Sequence, residues 1–191
     1  MSSQQGRVVS VHVGSEGTLT KELRESIRFE LDGIVGDRHR GISRECWEQD
    51  KQPESSSRRN ERMWSAVSVE ELAEISEKLG LVQPLSPASL GANICLEGVE
   101  QLSRLPRGTL LCFASGAVLM VEEYNPPCQD MGEAIAQSYT TLSGTQLEQG
   151  VFSDAAKFSR GIVGIVEVAG EITAGDSVTV VRESLPKWLR S

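Results

Sequence analysis

The sequence predicts a mainly β fold of the α+β kind, a β-barrel with a few short helices, and three observations predict it. Short runs that alternate apolar and polar residues recur along the chain. Glycines and turn formers separate them, and one stretch alone carries a strong helical period. At 191 residues the chain is long enough for one sizeable domain, so residues 1–191 are read as one, with a long charged loop at 38–62.

The elements follow in order. "GRVVSVHVG" (6–14) and "SIRFELDGIVG" (26–36) alternate as half-buried strands do, with breaks at Gly14 and Gly17. From Arg38 to Arg62 the chain is polar, and its middle, "QPESSS", has no period at all. "MWSAVS" (63–68) is a short strand running into the helix "SVEELAEISEKLG" (68–80). Ser68 and Glu71 there form a capping box, Val69, Leu72, Ile75 and Leu79 form a core-facing stripe, and Gly80 is the stop. "LGANICLEG" (90–98) reads as a strand. "LPRGTLLCFASGAVLMVEEY" (105–124) reads as a hairpin turning near Ser115 and Gly116. "DMGEAIAQSY" (130–139) is a short helix. "RGIVGIVEVAG" and "GDSVTVVRES" form a final strand pair across the turn-prone "GEITAGD".

Charge and composition exclude some partners. The formal net charge is -8, with 27 acidic against 19 basic residues, which opposes binding to nucleic acid phosphates. No apolar run reaches the roughly 20 residues that cross a bilayer, and the first residues lack a signal peptide's apolar stretch. A cytoplasmic protein with no membrane partner is the expectation. Against that acidic background stand Arg38, Arg40, Arg44, Arg58, Arg59 and Arg62. Most read as solvated loop charges, and the sharper reading is a local site for a small anionic ligand. The motifs of phosphate loops, dinucleotide folds, serine-hydrolase elbows and zincins are all missing.

Four cysteines are present, and none pairs at a zinc or redox spacing. Cys95 and Cys112 lie in apolar runs and read as small buried residues; Cys46, beside Trp47, has no readable role. Cys128 follows Pro126 and Pro127, which lack N–H groups and restrict φ, and it precedes a helix whose N-terminus favours an anion. It is either a gap-filling residue or a presented thiol, nucleophile or soft metal ligand.

Read together, "GIVGDRHRG" (33–41), "RMWSAVSVEEL" (62–72), "LGANICLEGVEQLSRLPRGTLLCF" (90–113), "YNPPC" (124–128) and "RGIVGIVEVAGEITAGDSV" (160–178) resemble a MOSC domain. This is the module that ends molybdenum cofactor sulfurases. The resemblance implies a barrel-like fold and a functional thiol at Cys128, as persulfide-carrying catalytic residue or as metal ligand to molybdenum. It implies a molybdenum cofactor (molybdopterin) as ligand, with Arg38, His39, Asn93 and Arg160 as cofactor-binding residues. Arg38 and Arg160 adjoin glycines, where a phosphate can approach. The plainer readings are a solvated charge for Arg38, a backbone-bonded loop residue for His39 and a turn cap for Asn93. A cysteine desulfurase-type sulfur donor or a reductase is the implied partner. Two further readings stand beside it: a non-catalytic module binding a small anion or a partner enzyme, and a molybdenum-dependent component detoxifying N-hydroxylated compounds.

Overall fold

Period-two alternation builds most of the architecture. The computed structural model describes residues 3–15, 17–48, 50–148 and 150–182. Its strands are β1 (Ser3–Val13), β2 (Glu22–Arg24), β3 (Ser26–Glu30), β4 (Gly33–Ile34), β5 (Ser43–Glu45), β6 (Ser57–Arg59) and β7 (Trp64–Ser68), then β8 (Ile94–Glu97), β9 (Leu110–Phe113), β10 (Val118–Tyr124), β11 (Ile162–Val168), β12 (Gly170–Thr173) and β13 (Ser177–Val181). The helices are α1 (Val69–Lys78), α2 (Gln129–Ser138) and α3 (Val151–Ala155).

Seven strands close into a barrel in the order β1-β8-β7-β11-β10-β9-β13, and β13 returns to pair with β1 from Ser3↔Val181 to Arg7↔Ser177. Closure removes the exposed edges an open sheet would carry. In β13, Val178 and Val180 point inward, as Leu119 and Val121 do in β10. In β1 the inward residues are Val8 and Val11, an odd spacing that follows from a register shift between Val8 and Ser10. Neighbours in the ring run antiparallel except β7 and β8, which are parallel. A parallel pair needs a crossover, and α1 supplies it.

The helix α1 departs from expectation in two ways. Ser68 caps it, its hydroxyl accepting from Glu71 N at 3.2 Å. Glu71 does not reach back; its carboxylate accepts instead from Ser103 N at 2.9 Å and Ser103 Oγ at 2.7 Å. Val69 is 39% exposed rather than core-facing, while Leu72, Ile75 and Leu79 are buried. These three pack outside the barrel, in a second apolar cluster with Met131 and Ile135 of α2 and Phe152 of α3. The helices thus seal one side of the barrel wall.

Two other expectations need correction. The segment 38–62 is not a featureless solvated loop: β5 and β6 pair in it as a hairpin, Ser43↔Arg59 to Glu45↔Ser57. Acids answer its arginines, with Arg44 against Asp50 and Glu61 at 2.7 and 2.6 Å, Arg40 against Asp32 at 2.9 Å and Arg59 against Glu122 at 2.6 Å. The last strands do not pair with each other either. β11 joins β10 and β7, β13 joins β9 and β1, and the supposed turn between them contains β12, which pairs with β3. Residues 183 and 184 of "GDSVTVVRES" lie outside the described residues. The hairpin near Ser115 and Gly116 is present, Gly116 N donating to Phe113 O at 2.9 Å.

Candidate functional site

Where β10 ends, the chain turns through Asn125, Pro126 and Pro127 into α2, and Cys128 is the N-cap of that helix. Its φ and ψ of -114° and 163° are extended, so the side chain leaves the helix start instead of joining it. Cys128 is exposed, whereas Cys46 and Cys95 are buried. Burial drives the Cys95 thiol up to about 12, which makes it inert.

Cys128 lines a cavity of about 140 Å³ together with Arg38, His39, Asn93 and Arg160. All five residues singled out in the sequence meet at this one place, although they come from four separate stretches of chain. Leu19, Trp64, Met131 and Val163 form its apolar walls. Two further spaces adjoin it, sharing walls. One of about 170 Å³ shares Arg38, His39 and Arg62, and one of about 420 Å³ shares Arg62. Drug-sized ligands occupy roughly 300–1,000 Å³, so the central cavity accepts the end of a molecule or a small anion.

The arginines are held by backbone and left with spare donors. Arg38 donates from Nη1 to Thr18 O and from its backbone N to Gly14 O at 3.0 Å. Arg160 donates from Nη2 to Leu90 O at 3.1 Å. Among the described residues the Nε atoms of both are buried without a hydrogen-bond partner. Burial lowers the Arg160 guanidinium to about 10, partly offset by the nearby Cys128 sulfur. Such unpartnered cationic N–H groups are chemically suited to donate to an anion.

Arg160 is aimed by the residue after it. Gly161 has φ +101°, and a Cβ there would lie 2.1 Å from Ala66 O. Its N–H donates to Ser103 Oγ at 2.6 Å, the same hydroxyl that Glu71 binds. The helix α1 therefore supports the arginine through two hydrogen bonds.

Asn93 lines the cavity, but its amide is engaged by internal hydrogen bonds. Its Nδ2 donates to His12 O at 3.0 Å and Asp37 Oδ2 at 2.7 Å, and its Oδ1 accepts from Ser65 N at 3.1 Å and Ser65 Oγ at 3.2 Å. It ties β1, β7 and the Asp37 loop together beneath the site. Asp37 is the centre of that floor. Its carboxylate accepts from Gly14 N and Lys21 Nζ at 2.9 Å, and from His39 N and Nδ1 at 3.0 and 3.1 Å. Burial alone would raise the Asp37 carboxyl, but His39, Lys21 and the two backbone N–H groups outweigh it and hold it well below the carboxylate range. Burial likewise lowers His39, against the pull of Asp37, so its imidazole is neutral at pH 7.

Arg62, Ser65 and Asn125 line the cavity too; Arg62 belonged to the arginine cluster read as an anion site, but none of the three was singled out as a site residue. Arg62 donates from Nη2 to Asn125 Oδ1 at 2.6 Å and stands over the Trp47 ring, 5.9 Å from its centroid. The other hint was position: an arginine entering an apolar strand, and an asparagine beside the two prolines. Among the described residues no group of three or more His, Cys, Asp or Glu side chains could hold a metal.

The MOSC domain profile matches residues 53–179. YuaD of Bacillus subtilis (strain 168), whose name assigns it provisionally to metal-sulfur cluster biosynthesis, is 34% identical over 163 residues, 85% of this chain and 82% of that protein. The crystal structure of the Bacillus subtilis YUAD protein superposes with a TM-score of 0.89 at 29% identity, covering 96% of this chain and 99% of that one. YiiM from Escherichia coli shares the fold, with a TM-score of 0.62 at 14% identity over 94% of this chain and 71% of that one. No helix among the described residues is long and apolar enough to cross a membrane.

Proposed function

The chain belongs to the MOSC domain family, and from that premise we propose that it is a sulfur-handling protein that carries a sulfane sulfur as a persulfide on Cys128. Family membership supports the broader area, molybdenum-cofactor and sulfur-related chemistry. One observation carries the finer reading: an exposed cysteine at the N-cap position of a ten-residue helix lines a cavity whose buried Arg160 has, among the described residues, an unpartnered N–H. A persulfide is anionic, and the helix N-terminus and guanidiniums favour an anion at that point. A cysteine desulfurase-type protein fits as sulfur donor, since exposure of the thiol lets another protein's persulfide reach it.

The arginine array favours a second reading, in which the site holds a molybdenum cofactor. The residues fit such a group: Cys128 would be a soft ligand for molybdenum, and Arg38, Arg62 and Arg160, which line the same cavity, suit a terminal phosphate chemically. When bound, the cofactor would supply two-electron redox chemistry. This chain's part is to anchor the phosphate and present the thiol, with Trp64, Met131 and Val163 limiting water around them.

The deciding experiment incubates purified protein with a desulfurase and free cysteine, then maps added sulfur by mass spectrometry. Sulfur on Cys128, absent in Cys128→Ser and unchanged in Cys95→Ser, supports the carrier reading. Loading on Cys46 or Cys112 with Cys128 unmodified refutes it. Metal and pterin analysis of protein from a cofactor-producing host tests the second reading.

A further inference from the structure

The cavity holds one side chain whose chemistry the anion site does not use. His39 lies between Asp37 and the cavity, with 35% of its side chain exposed. Its Nδ1 meets Asp37 Oδ1 at 3.1 Å, and its own backbone N–H donates to that oxygen at 3.0 Å. An ionised carboxylate accepts only, so Nδ1 carries the proton and Nε2 keeps its lone pair. Among the described residues Nε2 makes no hydrogen bond, and the imidazole shares the cavity wall with Cys128. A loop histidine needed only for folding would not require its tautomer fixed by a carboxylate that four further donors pin down: Gly14 N, Lys21 Nζ, Asn93 Nδ2 and His39 N.

We propose that His39 is the proton-moving residue of the Cys128 site, with Asp37 as the residue that positions it. The proposal rests on the persulfide reading above. His39 Nε2 takes the Cys128 thiol proton, directly or through one water. The thiolate attacks the terminal sulfur of a donor persulfide R–S–SH, a bond forms between Cys128 Sγ and that sulfur, and the donor's S–S bond breaks. The departing R–S⁻ takes the proton back from the imidazolium. Thiol and persulfide exchange one sulfane sulfur, giving Cys128–S–SH and R–SH with no net oxidation. One histidine serves as base and then acid, and Asp37 stabilises the imidazolium between the two steps.

The surrounding charges set the working pH. In its own segment His39 is flanked by Asp37, Arg38 and Arg40; from elsewhere it faces Lys21, Arg44 and Arg62. Across the cavity are Arg160 and Cys128. Burial, with Lys21 and Arg38 beside it, opposes a charge on the imidazole and Asp37 favours one; the net is a lowered value and a neutral base at pH 7.

The test follows single-turnover sulfur loading from glutathione persulfide by mass spectrometry between pH 5 and 10, and Cys128 alkylation by iodoacetamide over the same range. In the wild type, loading should be level near neutrality and fall on an acid limb below the ordinary histidine value. His39→Gln should load about 10²-fold more slowly at pH 7 and lose that limb, its rate rising with hydroxide instead. His39→Ala should recover speed when imidazole is added, a rescue that a structural role would not give. Should His39→Gln match the wild type at every pH in both reactions, the relay is overturned while the carrier reading stands. A wild type that takes no sulfur, yet keeps a His39-dependent limb in alkylation, overturns the carrier reading and leaves the proton-moving role supported. His39→Ala folded by circular dichroism but deaf to imidazole also overturns the relay.

Discussion

Asp37→Asn removes a single charge from beneath the cavity and should be among the most damaging substitutions in the chain. The Lys21 and Asp37 side chains are 1% and 0% exposed, with Nζ and Oδ2 2.9 Å apart. Taking one partner from such a pair strands the other charge, at roughly 3–5 kcal/mol. The amide fits the site poorly as well. Five donors converge on the carboxylate, from Gly14, Lys21, Asn93 and twice from His39, and an Asn offers one acceptor oxygen and two N–H groups of its own. We expect a loss of about 4 kcal/mol at pH 7, a large share of the total stability of a typical domain. The assay is urea unfolding of the wild type, Asp37→Asn, Lys21→Met and the double variant Lys21→Met/Asp37→Leu. The double variant should lose less than Asp37→Asn, because no unpaired charge stays buried. A pH arm tests the cause. Burial lowers Lys21 to about 8 from 10.5 even with Asp37 pulling it up, so without Asp37 it falls further. A lowered folded-state value means the unfolded chain binds more protons, and stability rises with pH through that window. The Asp37→Asn deficit should accordingly narrow as pH climbs to 8. A deficit under about 1 kcal/mol, or one flat in pH, refutes the reasoning.

Three further outcomes are expected. Gly161→Ala should cost roughly 3 kcal/mol or more, since φ is +101° and the new Cβ would sit 2.1 Å from Ala66 O; a thermal midpoint equal to the wild type's contradicts this. Burial, then the Lys21 charge, lowers His12 from 6.5 to about 4, so stability should fall by about 3 kcal/mol as pH drops through that range. His12→Gln should flatten that slope in urea titrations, and an unchanged slope assigns it elsewhere. Arg160→Met should stabilise the free protein by about 1–3 kcal/mol while abolishing any rise in melting temperature with added phosphate. A variant that is less stable and still responds to phosphate removes Arg160 from the anion site.

Much of the fold was legible because local chemistry and tertiary packing agree. Val178 and Val180, like Leu119 and Val121, alternate in sequence and point into the barrel. Ser68 caps α1 as a serine before an apolar period should. Where they disagree, tertiary contacts prevail. Glu71 stands three residues after Ser68 and by local rules closes a capping box, but Ser103, 32 residues away in sequence, offers two donors and takes it. The hairpin of β5 and β6 left no alternation to read, because ion pairs of Arg44 and Arg58 with Asp50 and Glu61 hold it rather than apolar burial.

The site divides along the same line. Two prolines before a thiol and a helix after it are consecutive facts of the chain, so Cys128 stands out without any structure. The chain by itself also settled the barrel class and the one strong helix, since period and capping are local properties. Which residues surround the thiol is another matter. Arg62 and Asn125 are 63 positions apart, Asn93 and Asp37 56, and Lys21 reaches Asp37 across 16. No periodicity encodes such meetings. They arise because barrel closure brings distant strand ends together, and because a buried charge takes its partner from whatever lies within hydrogen-bond reach.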